Sequence, residues 1–204
     1  MHKKLMLACM AITAFGAFVI APAASAATLT ENGSALAVGS SITGKNVAGT
    51  KIKFTGGFSL ECEVAHLQGN VTKNSSGVVK GEIPVGSVTI SNAGGAACSS
   101  PLGATTYKVT SKLCWETTSG TDTIKLTGCG ANVVIDLTAA GVVCKYETAS
   151  ISATFTTNAT PTTWTISDQP AKEVGGLFFC PDEGKWDMTF DLYTTGGTTG
   201  LTFS

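Results

Sequence analysis

The chain has 204 residues, a formal charge of −1 and only 13% charged side chains, about half the share usual in globular domains. Its basic residues are all lysines, so it lacks both the basic footprint of a nucleic-acid binder and the guanidinium fork that grips phosphates. Thr, Ser, Gly and Ala fill the gap, which points to a neutral, hydroxyl-rich β-protein and away from helices.

The first segment reads as a secretory signal over residues 1–26. Lys3 and Lys4 supply the positive start, residues 5–20 the apolar run, and Ala24-Ser25-Ala26 the small-residue cleavage site. The apolar run before Cys9 is too short for a lipoprotein site, so Cys9 leaves with the leader. The mature chain is expected at 27–204, exported, as a single all-β domain. No later run approaches the roughly 18 apolar residues of a membrane span, so no span is expected once the signal is removed. The polar end of the chain offers no anchor tail or sorting motif.

After the leader, apolar and polar residues alternate in short runs broken by glycine, the pattern of half-buried strands. Thr28-Leu29-Thr30 and Ala35-Leu36-Ala37-Val38 flank Asn32-Gly33, a two-residue hairpin turn whose central positions both need positive φ. Lys51-Ile52-Lys53-Phe54, then Thr121-Asp122-Thr123-Ile124-Lys125-Leu126, then residues 150–156 continue the alternation. The clearest run is 187–193: Met188, Phe190 and Leu192 on one face, Asp187, Thr189, Asp191 and Tyr193 on the other. Residues 200–204 alternate to the end. They resemble the closing strand of subunits that polymerise by strand exchange, although an ordinary closing strand is preferred. Turn signals fall at Gly56-Gly57, Ser76-Gly77, Gly94-Gly95, Ser119-Gly120, Gly175-Gly176 and Gly196-Gly197.

Six cysteines remain in the mature chain: Cys62, Cys98, Cys114, Cys129, Cys144 and Cys180. An even set in an exported chain predicts three disulfides, with 15 possible connectivities. A weak internal repeat, about 58–128 and 140–204, aligns Cys62 with Cys144 and Cys98 with Cys180. If real, it selects Cys62–Cys98 and Cys144–Cys180 and leaves Cys114–Cys129 across a hairpin.

Chemistry-bearing motifs are sparse. His66 is the only histidine after the leader, and no nucleophile elbow accompanies it. No CxxC or HExxH spacing suggests zinc, and Gly128-Cys129-Gly130 lacks the third glycine and βαβ setting of a dinucleotide loop. Asp182, Glu183 and Asp187 lie close in sequence, but Lys185 among them opposes a cation, and a solvated acidic turn is favoured. No metal or cofactor is expected. Four N-x-S/T triplets start at Asn32, Asn70, Asn74 and Asn158; the leader looks bacterial, so they are not expected to carry glycans. For sugar stacking, parity places Trp115 with Leu113, Trp164 with Ile166, Trp186 with Met188, and Tyr107 with Val109, all on apolar faces. Tyr193 alone falls on a polar face and is the one ligand-facing candidate.

Leu29-Thr30-Glu31-Asn32-Gly33, Cys62, Gly69-Asn70-Val71-Thr72, Gly81-Glu82-Ile83, Leu126-Thr127-Gly128-Cys129 and Asp187-Met188-Thr189-Phe190 resemble a group of small secreted proteins of soil actinobacteria. The resemblance implies export, disulfides and an all-β fold; the group has no assigned activity. The sequence thus predicts a disulfide-braced antiparallel β-sandwich, immunoglobulin-like or related, with two fused half-repeats as a variant. Its expected role is non-enzymatic, structural or interactive, at the cell surface or beyond, with a protein or cell-wall glycan as partner. A carbohydrate-binding module and a secreted hydrolase using His66, or the acids Asp182 and Asp187, are the alternatives.

Overall fold

Alternation dictates which face of each strand turns inward, because successive side chains leave a strand on opposite sides. A computed structural model describes residues 27–56, 59–75, 77–118, 120–194, 196 and 198–204. The leader lies outside the described residues, as do Gly57, Ser76, Ser119 and Gly197 of the turn dipeptides.

Among the described residues the strands begin with β1 (Leu29–Glu31), β2 (Ser34–Ala35), β3 (Ser41–Asn46), β4 (Ile52–Gly56), β5 (Ser59–Cys62) and β6 (Val64–Ser75). They continue with β7 (Val78–Ile83), β8 (Val88–Ser91), β9 (Cys98–Ser100), β10 (Gly103–Val109), β11 (Leu113–Thr118) and β12 (Thr123–Thr127). The last six are β13 (Val133–Ala139), β14 (Val142–Thr148), β15 (Ile151–Phe155), β16 (Thr163–Gly175), β17 (Glu183–Thr194) and β18 (Leu201–Phe203). One short 3-10 turn spans Ala93–Gly95. The fold is all-β and sandwich-like, made of antiparallel ladders and braced by three disulfides.

Parity places the core. Along β17, Gly184, Trp186, Met188, Phe190 and Leu192 are buried while their neighbours are not. All three tryptophans point inward, each 1% exposed, and Tyr107 is buried with Val109 as expected. The Asn32-Gly33 turn forms with φ of 50° and 78° at its two central residues, setting Thr30 opposite Ala35.

The ladders also close on themselves. One circuit joins β4, β5, β9, β10, β13, β14, the second half of β16 and the first half of β17. The other joins β3, β6, β7, β11, β12, β15, the first half of β16 and the second half of β17. The long β16–β17 hairpin is therefore shared, and β8 fills the notch between β6 and β10. Phe54, Tyr146, Trp186 and Tyr107 fill the first circuit, with ring centroids 4.4–5.0 Å apart. Trp115 and Trp164 meet edge to face at 5.1 Å in the second. An apolar cavity of about 40 Å³ lies between the two, against Leu67, Val109, Trp186 and Met188.

A bulge lets β16 serve both circuits. Its register against β17 shifts between Ile166 and Gln169, where Asp168 takes φ of 50° and donates its N–H to Asp187 Oδ1 at 2.9 Å. Before the bulge the buried residues are Trp164 and Ile166; after it the buried residue is Ala171. The extra residue bends the strand and swaps its faces.

The bridges are Cys62–Cys98, Cys114–Cys129 and Cys144–Cys180, the set that the repeat selects. The two 36-residue bridges are buried and both reinforce short ladders of the first circuit. Strands β5 and β9 share a single registered pair, Glu61 with Ser99, and Cys62–Cys98 stitches that seam at the next position. Cys144–Cys180 ties β14 to the loop after β16, beside a ladder interrupted by a bulge. Cys114–Cys129 lies on the outer face of the β11–β12 hairpin.

The two ends of the described chain pair with each other. β18 runs antiparallel to β1, Leu29 opposite Phe203 and Glu31 opposite Leu201, so the final strand is an ordinary closing strand within this chain. Asn74 locks this seam to β6. Its amide donates to the Leu29 and Leu36 carbonyls at 2.7 and 2.8 Å, and its Oδ1 accepts from the Leu29 N–H at 2.9 Å. With its amide so engaged, Asn74 is a structural residue rather than a glycan acceptor.

Candidate functional site

The residues that sequence reasoning missed form the most unusual surface of the molecule. Residues 176–182 connect β16 to β17 at the end of the hairpin remote from the chain ends. The base of the loop is closed by the Glu173 N–H donating to the Asp182 carbonyl at 2.8 Å. Its return is pinned by Cys180, buried and bonded to Cys144. Gly176 is required there, because a Cβ at that position would sit 2.5 Å from Cys180 Sγ. A tight turn follows, with the Cys180 N–H donating to the Leu177 carbonyl at 2.8 Å.

With the backbone turned in, the side chains turn out. Phe178 is 99% exposed, Leu177 54% and Phe179 42%. The two rings meet edge to face at 5.5 Å. Val174 at the foot of the loop and Val143, beside Cys144 on β14, are half-exposed as well. Exposed apolar residues scattered singly need no explanation, but a contiguous pinned cluster does. A warning was present in the sequence: Leu177-Phe178-Phe179 is an unbroken apolar run between Gly-Gly and Cys-Pro.

Tyr193 stands where parity put it, half-exposed on the outer face of β17. It lies opposite Thr43, which lies opposite Gln68. Next to them an open groove of about 390 Å³ runs past Ser41, Thr43, Gln68, Asn70 and Ser87. The Tyr193 face is not bare, since Lys45 Nζ sits 5.1 Å from the ring centroid.

The remaining candidates do not converge. His66 is exposed on β6 between Lys45 and Thr89 in register. The nearest acid in that row, Asp191, is one strand beyond Lys45, about 10 Å away at ordinary strand spacing. Asp187 is committed to the β16 bulge through the Asp168 N–H, and Lys185 approaches Asp168 at 3.7 Å. Among the described residues no group of three His, Cys, Asp or Glu side chains is placed to hold a metal. No helix among them is long and apolar enough to cross a membrane.

No protein-family model, no curated protein and no solved structure matches this chain. Its function has to be argued from its own surface.

Proposed function

We propose that this is an exported, non-enzymatic binding protein that meets its partner with the pinned apolar loop at residues 176–182. The leader and the three disulfides, which belong to an oxidising compartment, support export. The observation that carries the binding role is Phe178, 99% exposed on a loop held by a buried disulfide. Holding such a side chain in water forgoes roughly 1.5–3 kcal/mol of burial energy. The loop offers about two full side chains in all, hence roughly 3–6 kcal/mol available to a partner. Pinning removes much of the ordering cost that a free loop would incur on binding.

The groove beside Tyr193 supports a second reading, binding of a glycan. Hydroxyl and amide side chains line it, and Tyr193 lies in register beside its Thr43. Lys45 over that ring would have to yield to a sugar, which is why the loop is preferred.

The test compares the oxidised protein with Phe178→Ser/Phe179→Ser and with Tyr193→Ala. Each is applied to separately immobilised lipid extract, wall polysaccharide and surface protein from the source organism. Retention on one of the three that the double serine variant loses supports the loop. Retention lost only in Tyr193→Ala transfers the role to the groove, and no retention on any of them ends the proposal.

A further inference from the structure

We infer that the loop's partner is a lipid surface of low net charge, entered to headgroup depth by Phe178 and Phe179; this rests on the binding-loop reading above.

Shape is the first argument. Phe178 is 99% exposed, so the edge-on Phe179 ring leaves it almost wholly open to solvent. The loop is a convex tip, and its partner must wrap around it. A fluid lipid layer does this without a preformed pocket.

Area is the second. At about 200 Å² for an aromatic side chain, the exposed parts of Leu177, Phe178 and Phe179 come to roughly 400 Å². A standard protein interface takes about 800 Å² from each partner, of which roughly 450–520 Å² is apolar. The tip falls short of the apolar share that an ordinary protein partner or a second copy of this chain would bury.

Polarity is the third. Protein interfaces carry about one hydrogen bond per 100–200 Å². Leu177, Phe178 and Phe179 have no polar side-chain atoms, and the Leu177 carbonyl is already taken by the Cys180 N–H. Apart from its backbone groups, what the tip offers is apolar area, which is what the acyl boundary accepts.

Charge selects the kind of lipid. Lys145, Lys172 and Lys185 flank the loop, and so do Glu147, Glu173, Asp182 and Glu183. The acids slightly outnumber the lysines, so the collar favours a zwitterionic surface over an anionic one. Depth is limited as well, since the free backbone groups of the loop cannot enter hydrocarbon without partners.

Orientation is compatible. The chain ends pair beside the start of β16 and the end of β17, at the opposite end of the hairpin. Thirteen residues of β16 separate the two at about 3.3 Å per residue, roughly 40 Å. The tip can reach a surface with the rest of the molecule standing clear of it.

The experiment uses oxidised protein and phosphatidylcholine vesicles. Wild-type protein should co-sediment with them weakly and reversibly, with a partition constant on the order of 10³ M⁻¹, below the roughly 10⁴ M⁻¹ of one acyl anchor. Phe178→Ser/Phe179→Ser should lower it at least tenfold with an unchanged thermal unfolding curve. Raising the salt should leave wild-type binding unchanged. Phe178→Trp should add a red-shifted emission component that moves to the blue and escapes acrylamide on adding vesicles, while the three buried tryptophans stay silent. The inference is overturned by absence of co-sedimentation, by equal binding of the serine variant, or by binding confined to anionic vesicles and lost in salt. Dimerisation at rising concentration, abolished by the serine variant, would put a second copy on the loop instead. Loop-dependent retention on surface protein without vesicle binding would sink the lipid inference and leave the binding loop standing. A serine variant that behaves as wild type in every assay would sink both.

Discussion

Removing the Cys62–Cys98 bridge should be the most damaging single disulfide deletion, for a reason beyond its length. In the loop-entropy model a 36-residue link constrains the unfolded chain by about 4 kcal/mol, against about 3 for the 15-residue Cys114–Cys129 link. Cys144–Cys180 has the same separation as Cys62–Cys98, but its ladder has three registered pairs where the β5–β9 seam has one. Without Cys62–Cys98 little else holds the first circuit shut. Cys62→Ala/Cys98→Ala, followed by urea unfolding with tryptophan emission, should lower the midpoint by about 2 M at a slope near 2 kcal/mol/M. Hydrogen exchange should show β5 and β9 opening well before β13 and β14. The reasoning is refuted if this variant loses no more stability than Cys114→Ala/Cys129→Ala, or if β5 and β9 remain protected.

Three further outcomes are expected. Gly184→Ala should destabilise by about 1–3 kcal/mol through overpacking, because an added Cβ would collide with the Phe54 ring; Phe54→Leu in the same chain should recover part of the loss in thermal melts, and no recovery would refute the contact. Asn74→Ala removes three hydrogen bonds between β6 and the end seam and should make residues 27–38 the first site of limited proteolysis, while the β11–β12 hairpin stays resistant. Burial, with Glu173 and Asp182 adding, pushes the Tyr146 hydroxyl up to about 12, and burial raises Tyr107 too. Between pH 10 and 12 the native state then keeps a proton that the unfolded chain has released, so stability falls as pH rises through that window. Tyr146→Phe should flatten the fall in urea midpoint over that range, and an unchanged slope would refute it.

Local features were legible in the sequence because their cause is local. Period two told Trp115, Trp164 and Trp186 from their outward neighbours, and Asn32-Gly33 announced its own turn. The closure of the sheets was not legible, since inward and outward positions read alike in an open sandwich and a closed circuit. The bulge in β16 breaks the pattern at Ser167-Asp168, and a break in alternation does not say where the strand goes next. The loop was missed for a related reason. Three consecutive apolar residues have no parity, so Leu177, Phe178 and Phe179 give no sign of which way they face. Only the Cys144–Cys180 anchor, by drawing the backbone inward, decides it.

The pairing of the chain ends has a consequence for the order of assembly. Thr30 and Thr202 are 172 residues apart and share a hydrogen bond across the terminal seam. The chain is synthesised from its N-terminus, so β1 exists long before its partner β18. Through that interval β1 presents an open edge, the kind of surface that recruits strands from other chains. Contacts this distant in sequence also form slowly. The arrival of Leu201 and Phe203 is the event that seals the molecule, and a chain cut short by its last few residues would keep nearly all its core while remaining adhesive.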